Sequence, residues 1–153
     1  VLVGIAVEVE NPKQFGRIRI QRLENSKAKC LKPFIQNSIE PKSRVHTDGS
    51  LTYHKLLKAD YQHSRTVHYG SDIPAHETLP GVHRVASLLQ RWVLGTHHGA
   101  IKPQQLDHYL DEFVFRFNRR ASTSRGLLFY RLMTQSIATA PVTYDDIVSK
   151  SRA

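Results

Sequence analysis

The residue best placed to do chemistry is Asp48, in a stretch Val45–Gly49 that is predicted to end a buried strand. Folds of the α/β class place their sites where the chain turns at the carboxyl end of a strand. Asp48 could equally cap the short helix predicted to begin near Leu51, because an aspartate accepts hydrogen bonds from the first amides of a helix. The residues alone leave both interpretations open.

His83 is the second candidate, near the start of another predicted helix. Helical spacing places it on one polar face with Ser87, Gln90 and Arg91, opposite an apolar stripe. An imidazole in this position could ligate a metal or contact a phosphate, whereas the alternative is an ordinary surface histidine. The adjacent pair His97–His98 is not predicted to bind zinc, because neighbouring side chains point in different directions and no cysteine or acid lies close in the sequence.

Basic residues are concentrated in the helical half of the chain. They are Arg84, Arg91, Arg116, Arg119, Arg120 and Arg125. The whole chain has 22 Lys and Arg against 13 Asp and Glu, a net charge of +9, which favours a polyanionic partner. A local explanation competes, since Arg119 and Arg120 end a helix, where the helix dipole favours cations. The spacing of Phe113 and Phe117 predicts core packing rather than stacking on bases.

Length and composition describe an ordinary globular chain. Its 153 residues are 40% hydrophobic, which predicts a single domain over 1–140 and a short tail over 141–153. The one cysteine, Cys30, cannot form an internal disulfide. No stretch approaches the ~20 apolar residues of a membrane span. The sequence opens inside an apolar run, so we expect a start cut out of something longer.

The predicted elements alternate between strands and helices before the chain becomes helical. Strands are predicted at 1–10, 16–24, 43–47 and 61–69, and helices at 26–40, 51–59, 82–94, 103–120 and 125–138. The first two strands should form a hairpin, Ser26 should cap the first helix, and Pro33 should kink or restart it. This order predicts an α/β fold with a mixed sheet.

Three stretches of the sequence resemble one family. Residues 45–53 resemble the strand and turn that hold the second catalytic acid of insertion-sequence transposases of the ISXO-two-like group. Residues 79–98 resemble the helix that holds the third catalytic position, and 109–120 resemble the closing signature of that group. Arg17–Arg19 on the second strand fits as well. The resemblance covers nearly the whole chain.

This resemblance to DDE-type transposases implies a ribonuclease-H-like mixed sheet with flanking helices and a helical C-terminal half. It implies metal-dependent DNA cleavage and strand transfer at a site with two divalent ions, Mg²⁺ or Mn²⁺. Asp48 and His83 would be the catalytic and metal-binding residues. The implied DNA-binding residues are Arg84, Gln90, Arg91, Arg116, Arg119 and Arg120. The implied partners are double-stranded DNA and further copies of the chain, in the bacterial cytoplasm and not at a membrane.

Two departures from the family pattern set further expectations. The first catalytic acid of the family lies on a central strand that this sequence lacks, with Glu8 and Glu10 as the only nearby substitutes. The third position, usually Glu or Asn, is His83. We therefore expect an N-terminally truncated and inactive chain. The alternative is a fragment that only binds DNA through its basic surface; a basic RNA-associated protein is a third class, which no RNA-binding motif supports.

Overall fold

The computed structural model of the chain describes residues 1–11, 14–57, 60–66 and 78–145. Its strands are β1 (Leu2–Asn11), β2 (Gln14–Leu23), β3 (Arg44–Asp48) and β4 (Gln62–Thr66). Its helices are α1 (Ala28–Ser38), α2 (Leu51–Leu57), α3 (Pro80–His97), α4 (Leu106–Asn118) and α5 (Arg125–Ala138). The mixed α/β class is confirmed. Two compact units, Val1–Ile101 and Lys102–Ala153, divide the chain.

The predicted hairpin is confirmed. Strands β1 and β2 pair antiparallel from Leu2 opposite Leu23 towards the turn, with irregular register after Val7. Alternation of apolar and basic residues along β2 explains the burial, since Ile18 is buried while its neighbours Arg17 and Arg19 are exposed. The alternation along the strand therefore decides which side chains lie on the buried face of this two-stranded sheet and which lie on the exposed face.

Helix α1 covers β1 and forms the main core. The buried side chains of that core are Leu23, Leu31, Phe34, Ile35 and Leu57. A Cβ on Gly4 would lie 3.0 Å from the side chains of Leu23 and Phe34, so the helix approaches the strand closely because Gly4 has no side chain. The predicted Ser26 cap was wrong, because α1 begins after Lys27, whose amide hydrogen-bonds the Asn25 side chain.

Pro33 lies inside α1 and does not end it. The loss of one amide hydrogen bond to Lys29 is a local cost. Three buried side chains, Leu31, Phe34 and Ile35, anchor both sides of the proline in the core. Their burial outweighs that cost, and the helix runs on to Ser38.

The second sheet is a parallel pair, β3 and β4, joined by α2. The prediction of a buried β3 was wrong: Arg44, His46 and Asp48 are exposed and alternate with half-buried residues. The strand predicted over 61–69 spans Gln62–Thr66, and residues 67–69 lie outside the described residues, as do 58 and 59 of the predicted second helix. Among the described strands, β1–β2 and β3–β4 form two separate two-stranded sheets rather than the single mixed sheet predicted.

Helix α3 packs against β1 and is longer than predicted at both ends. Pro80 occupies the first turn, where its missing amide costs nothing. Gly81 is buried close to Phe15 and Val7 of the hairpin. The predicted break at Gly95 was wrong: the helix continues to His97 and ends at His98, whose φ of 51° is left-handed.

In the second unit, α4 buries Leu110 and Phe113 along one stripe. The predicted start at Pro103 was wrong, because residues 103–105 form a turn before the helix begins at Leu106. Helix α5 has the predicted bounds, Arg125–Ala138, and none of its residues is buried. No helix within the described residues is long and apolar enough to cross a membrane. The predicted boundary at residue 140 stays a prediction, and 146–153 lie outside the described residues.

Candidate functional site

Asp48 is the last residue of β3, and its side chain is exposed. One carboxylate oxygen, Oδ1, accepts a hydrogen bond from the backbone amide of Ser50 at 3.2 Å. This bond closes the turn through Gly49 that leads into α2 at Leu51. Asp48 thus closes the strand-to-helix turn and presents a carboxylate at the carboxyl end of a parallel strand. Its hydrogen bond comes from Ser50, which precedes the helix, and not from an amide of α2. The role of Asp48 in a functional site stays a prediction.

Two histidine–threonine hydrogen bonds flank Asp48 across the parallel pair. His46 Nε2 lies 2.7 Å from Thr66 Oγ1, and Thr47 Oγ1 lies 2.8 Å from His63 Nε2. They join β3 to β4 on opposite faces of the sheet, because His46 and Thr47 are consecutive on a strand. Sequence reasoning did not select these residues, since their pairing depends on the register of two strands separated by a helix.

Tyr53 is a further residue near Asp48 that sequence reasoning did not select as a site residue. It lies on α2 and packs, half-buried, against the hydrophobic core. Burial raises the pKa of the Tyr53 hydroxyl above its ordinary value of 10.0, and the negative charge of Asp48 raises it further. The Tyr53 hydroxyl is therefore close enough to the Asp48 carboxylate for the negative charge of Asp48 to affect it. The sequence held one signal that could have pointed to Tyr53, which follows Asp48 by five residues across the turn into α2.

His83 lies in the first turns of α3, where its amide donates to the Leu79 carbonyl at 3.2 Å. Its side chain is exposed. The predicted polar face is confirmed: Ser87, Gln90 and Arg91 are exposed as well, and so is the neighbouring Arg84. The opposite face holds Val85, which is fully buried, and Leu89. Helix α3 therefore presents an imidazole and two guanidinium groups to solvent while its other face packs on the hairpin.

The described residues do not by themselves form a two-metal site. Within that part of the chain, no group of three or more His, Cys, Asp or Glu side chains could hold a metal ion. The His97–His98 pair therefore does not belong to such a group among the described residues. The His97 ring packs edge-on against Trp92, 4.7 Å between centroids. Asp48 and His83 supply one carboxylate and one imidazole, fewer donors than two divalent cations require. Their approach to each other stays a prediction.

Glu8, one of the two possible substitutes for a first acid, has a structural role in the hairpin. Its carboxylate accepts the backbone amide of Arg17 at 2.9 Å. The carboxylate occupies the space above Gly16, where an added Cβ would clash with Glu8 Oε2. Glu8 is thereby tied to the irregular end of the hairpin. Glu10 is exposed near the same turn.

Three arginines at the C-terminal end of α4 and just beyond it contact residues of that helix. Arg116 forms an ion pair with Glu112 at 2.8 Å. The guanidinium of Arg119 lies 3.9 Å from the centre of the Phe115 ring, and that of Arg120 lies 4.1 Å from the Phe117 ring. Arg120 Nη1 also donates to the Phe117 carbonyl at 2.9 Å. The bond from Arg120 to a carbonyl at the helix end agrees with the local, dipole-based explanation, whereas the ion pair and the contacts with the phenylalanine rings were not predicted.

The aromatic residues of α4 divide between core and arginine stacking. Phe113 is buried, and its ring lies 6.1 Å from that of half-buried Phe117. The prediction that Phe113 belongs to the core is therefore confirmed. Phe115 and Phe117 each carry an arginine on one ring face. Contacts within the chain therefore account for the positions of these three phenylalanine rings without a nucleic-acid base.

The fold and the site together describe an α/β protein with an acid at the end of a parallel strand and a basic helical surface. The family model of the ISXO2-like transposase domain matches residues 1–118. The chain therefore belongs to the ISXO2-like transposase family. Comparisons with curated proteins and with solved structures returned no match.

Proposed function

We propose that the chain is part of the catalytic domain of an insertion-sequence transposase that cuts double-stranded DNA and joins it to a target. The observation that carries the proposal is the family match over residues 1–118, which contains the turn of Asp48 and the whole of α3. Asp48 and His83 are the proposed second and third metal-binding positions, for Mg²⁺ or Mn²⁺. When bound, such ions activate the attacking oxygen and stabilise the leaving one.

We further propose that the sheet becomes ribonuclease-H-like only when one more strand joins its two halves. Within the described residues, the antiparallel pair β1–β2 and the parallel pair β3–β4 form separate sheets, and backbone groups at the edge of a sheet must find partners or water. In the family the first acid lies on that central strand. Without this acid, the carboxylate of Asp48 carries one negative charge against the four positive charges of two divalent cations. The 153 residues alone are therefore proposed to be inactive.

The proposed DNA-binding residues are Arg84, Gln90, Arg91, Arg116, Arg119 and Arg120. Exposure of the polar face of α3 supports the first three. The net charge of +9 supports sequence-tolerant binding to phosphates, which is the main source of non-specific affinity for DNA. A homo-oligomer is the proposed active form, since the reaction joins two element ends to one target.

A second function is favoured by one observation. The described residues hold no group of three metal-ligating side chains. This favours, as the second candidate, a fragment that binds DNA through its basic surface without cutting it. Both proposals share the surface of α3 and differ in chemistry. Activity, rather than affinity, distinguishes them.

The test compares the 153-residue chain with a longer product that supplies the first strand and its acid. Nicking of DNA carrying the ends of the element is measured with Mg²⁺ and with Mn²⁺. The longer product is expected to nick, and Asp48→Asn is expected to abolish nicking. Asp60→Asn, an exposed aspartate outside the site, is the matched control and should retain activity.

Two results would contradict the proposal. Nicking by the longer Asp48→Asn variant would remove Asp48 from the site. Efficient Mg²⁺-dependent nicking by the 153-residue chain alone would show that a carboxylate of this chain, Glu8 or Glu10, replaces the first acid.

A further inference from the structure

Thr47 connects strand β4 to the backbone of Asp48. Its hydroxyl oxygen lies 2.8 Å from Nε2 of His63 on β4, and its hydroxyl donates to the Asp48 carbonyl at 3.0 Å. A threonine hydroxyl has one proton and two acceptor sites. Since that proton goes to the Asp48 carbonyl, His63 Nε2 must donate the other hydrogen bond. The donors therefore follow the order His63, Thr47, Asp48, and Nε2 of the imidazole carries a proton.

The two hydrogen bonds lie on the half-buried face of the parallel pair. Thr47 and His63 are both half-buried, and Val45, which shares their face two residues before Thr47, packs against the hydrophobic core. Hydrogen bonds between protein groups are stronger where solvent is partly excluded. The exposed side chain of Asp48, the next residue, points to the other face of β3. The link to β4 therefore leaves the surroundings of the carboxylate open.

Asp48 is held at two points. Its backbone carbonyl accepts the Thr47 hydroxyl, and its Oδ1 accepts the Ser50 amide at 3.2 Å. The second carboxylate oxygen, Oδ2, accepts no hydrogen bond from the residues that the structure describes. The peptide group that sets the direction of the side chain and one carboxylate oxygen are thus restrained, while the other oxygen stays available to a ligand.

A second histidine–threonine pair shows that the link to Asp48 is not a general feature of this strand pair. His46 Nε2 lies 2.7 Å from Thr66 Oγ1 on the opposite face. In the described part of the chain, no side-chain hydrogen bond leads from either of these two residues to Asp48. Both pairs join β3 to β4, but only the pair that includes Thr47 continues to the aspartate. Strand pairing alone therefore does not account for the second bond of Thr47.

We propose that Thr47 and His63 are positioning residues, which fix the backbone at Asp48 and thereby hold its carboxylate in one direction at the end of β3. This inference rests on the proposed role of Asp48 in DNA cleavage. Displacement of a reacting group by about 1 Å costs on the order of 10²-fold in rate, so a restraint on the last residue of a strand affects the reaction. Neither Thr47 nor His63 needs to contact DNA for this role.

The proton on His63 tests the direction of the two hydrogen bonds. In mildly alkaline solution a histidine ring is ordinarily neutral, with a proton on one nitrogen only. Imidazole ¹⁵N NMR of the 153-residue chain distinguishes the two forms, and we expect the proton on Nε2 of His63. A proton on Nδ1 with none on Nε2 would reverse the bond with Thr47 and overturn the proposal.

Backbone order at the turn tests the restraint itself, without any reaction. Thr47→Val keeps the branched shape of the side chain and removes the hydroxyl. It should lower the ¹⁵N order parameters of the Gly49 and Ser50 amides from about 0.85, the value of a rigid backbone, towards about 0.6. Thr47→Ser keeps the hydroxyl and should keep the unmodified values. His63→Gln keeps a donor and should lower them less than His63→Leu.

Val45→Ala is the matched control. It removes core contacts from the same face of β3 but no hydrogen bond, and it should leave the order parameters of Gly49 and Ser50 unchanged. Unchanged order in Thr47→Val, or an equal fall in Val45→Ala, would show that Thr47 only stabilises the sheet and would overturn the positioning role.

Nicking by the longer product, which supplies the first strand, connects this restraint with the proposed function. Thr47→Val and His63→Leu should each slow nicking about 10- to 100-fold, the usual cost of removing a residue that orients a functional side chain. The double variant should be no slower than either single variant, because both break the same chain of hydrogen bonds. Thr47→Ser and Val45→Ala should nick at nearly the unmodified rate. Failure of the unmodified longer product to nick would overturn the proposed function, whereas unmodified rates in Thr47→Val would overturn only the positioning role.

Discussion

Removal of two arginines from α3 is expected to weaken DNA binding far more than removal of two from α4. Arg84 and Arg91 are exposed, and within the described residues neither has an ion pair or a side-chain hydrogen bond. Arg116 and Arg120, in contrast, contact Glu112 and the Phe117 ring of their own helix. A guanidinium that already has a partner must give up that contact before it can bind a phosphate.

The magnitude follows from counterion release. Each phosphate contact contributes about −0.9 to the slope of log K against log salt. The double variant Arg84→Gln, Arg91→Gln should therefore flatten the slope by about 1.8, which amounts to roughly a tenfold difference in affinity over a fourfold range of salt. The double variant Arg116→Gln, Arg120→Gln lowers the net charge by the same two units, from +9 to +7, and should change the slope much less.

Fluorescence anisotropy of a labelled DNA duplex, titrated at several salt concentrations, measures both slopes with dilute protein. Equal losses in the two double variants would show that net charge alone decides binding and that the intrahelical contacts of α4 are irrelevant. Binding that does not depend on salt would remove the phosphate-contact argument altogether.

Three further predictions concern the site and the core. If Asp48 and His83 share a metal site as proposed, Mn²⁺ added to the longer product should broaden the imidazole NMR signals of His83, and Asp48→Asn should reduce this broadening; unaffected His83 signals would show that the two residues do not share a site. Because the pKa of Tyr53 is raised in the folded chain, its stabilising contribution is complete below its ordinary value of 10.0 and is lost as pH rises through the folded value. The free energy of unfolding should therefore fall at alkaline pH, and less steeply in Tyr53→Phe. Leu57→Ala should lower the free energy of unfolding by about 2–5 kcal/mol in urea titrations, since Leu57 is fully buried.

Patterns with a short period in sequence predicted the local structure well. The alternation along β2 and the bounds of α5 needed only residues within one element, and both were confirmed. The exposed polar face of α3, with His83 and Gln90 on it, followed from helical spacing in the same way. These features depend on the side-chain period of an element rather than on its partners.

Predictions that depended on distant partners were less successful. Pro33 was expected to kink or restart α1, yet burial of the residues around it holds one continuous helix together, so the restart does not occur. The strand that ends at Asp48 was expected to be buried, but its alternate residues are polar and leave one face exposed. The bond between Thr47 and His63 requires the register of β3 against β4, which no local pattern encodes.

The proposed DNA-binding residues and the proposed catalytic residue Asp48 lie on different elements. The exposed guanidinium groups of α3 belong to a helix that is anchored on the hairpin through buried Val85 and Gly81, so their arrangement does not require a complete active site. Asp48 instead lies at the end of the β3–β4 pair, and a single carboxylate cannot offset the charge of two divalent cations. The proposed function therefore predicts that this chain binds DNA through α3 without cleaving it. Because the two proposed functions use different secondary-structure elements, loss of cleavage would not imply loss of binding.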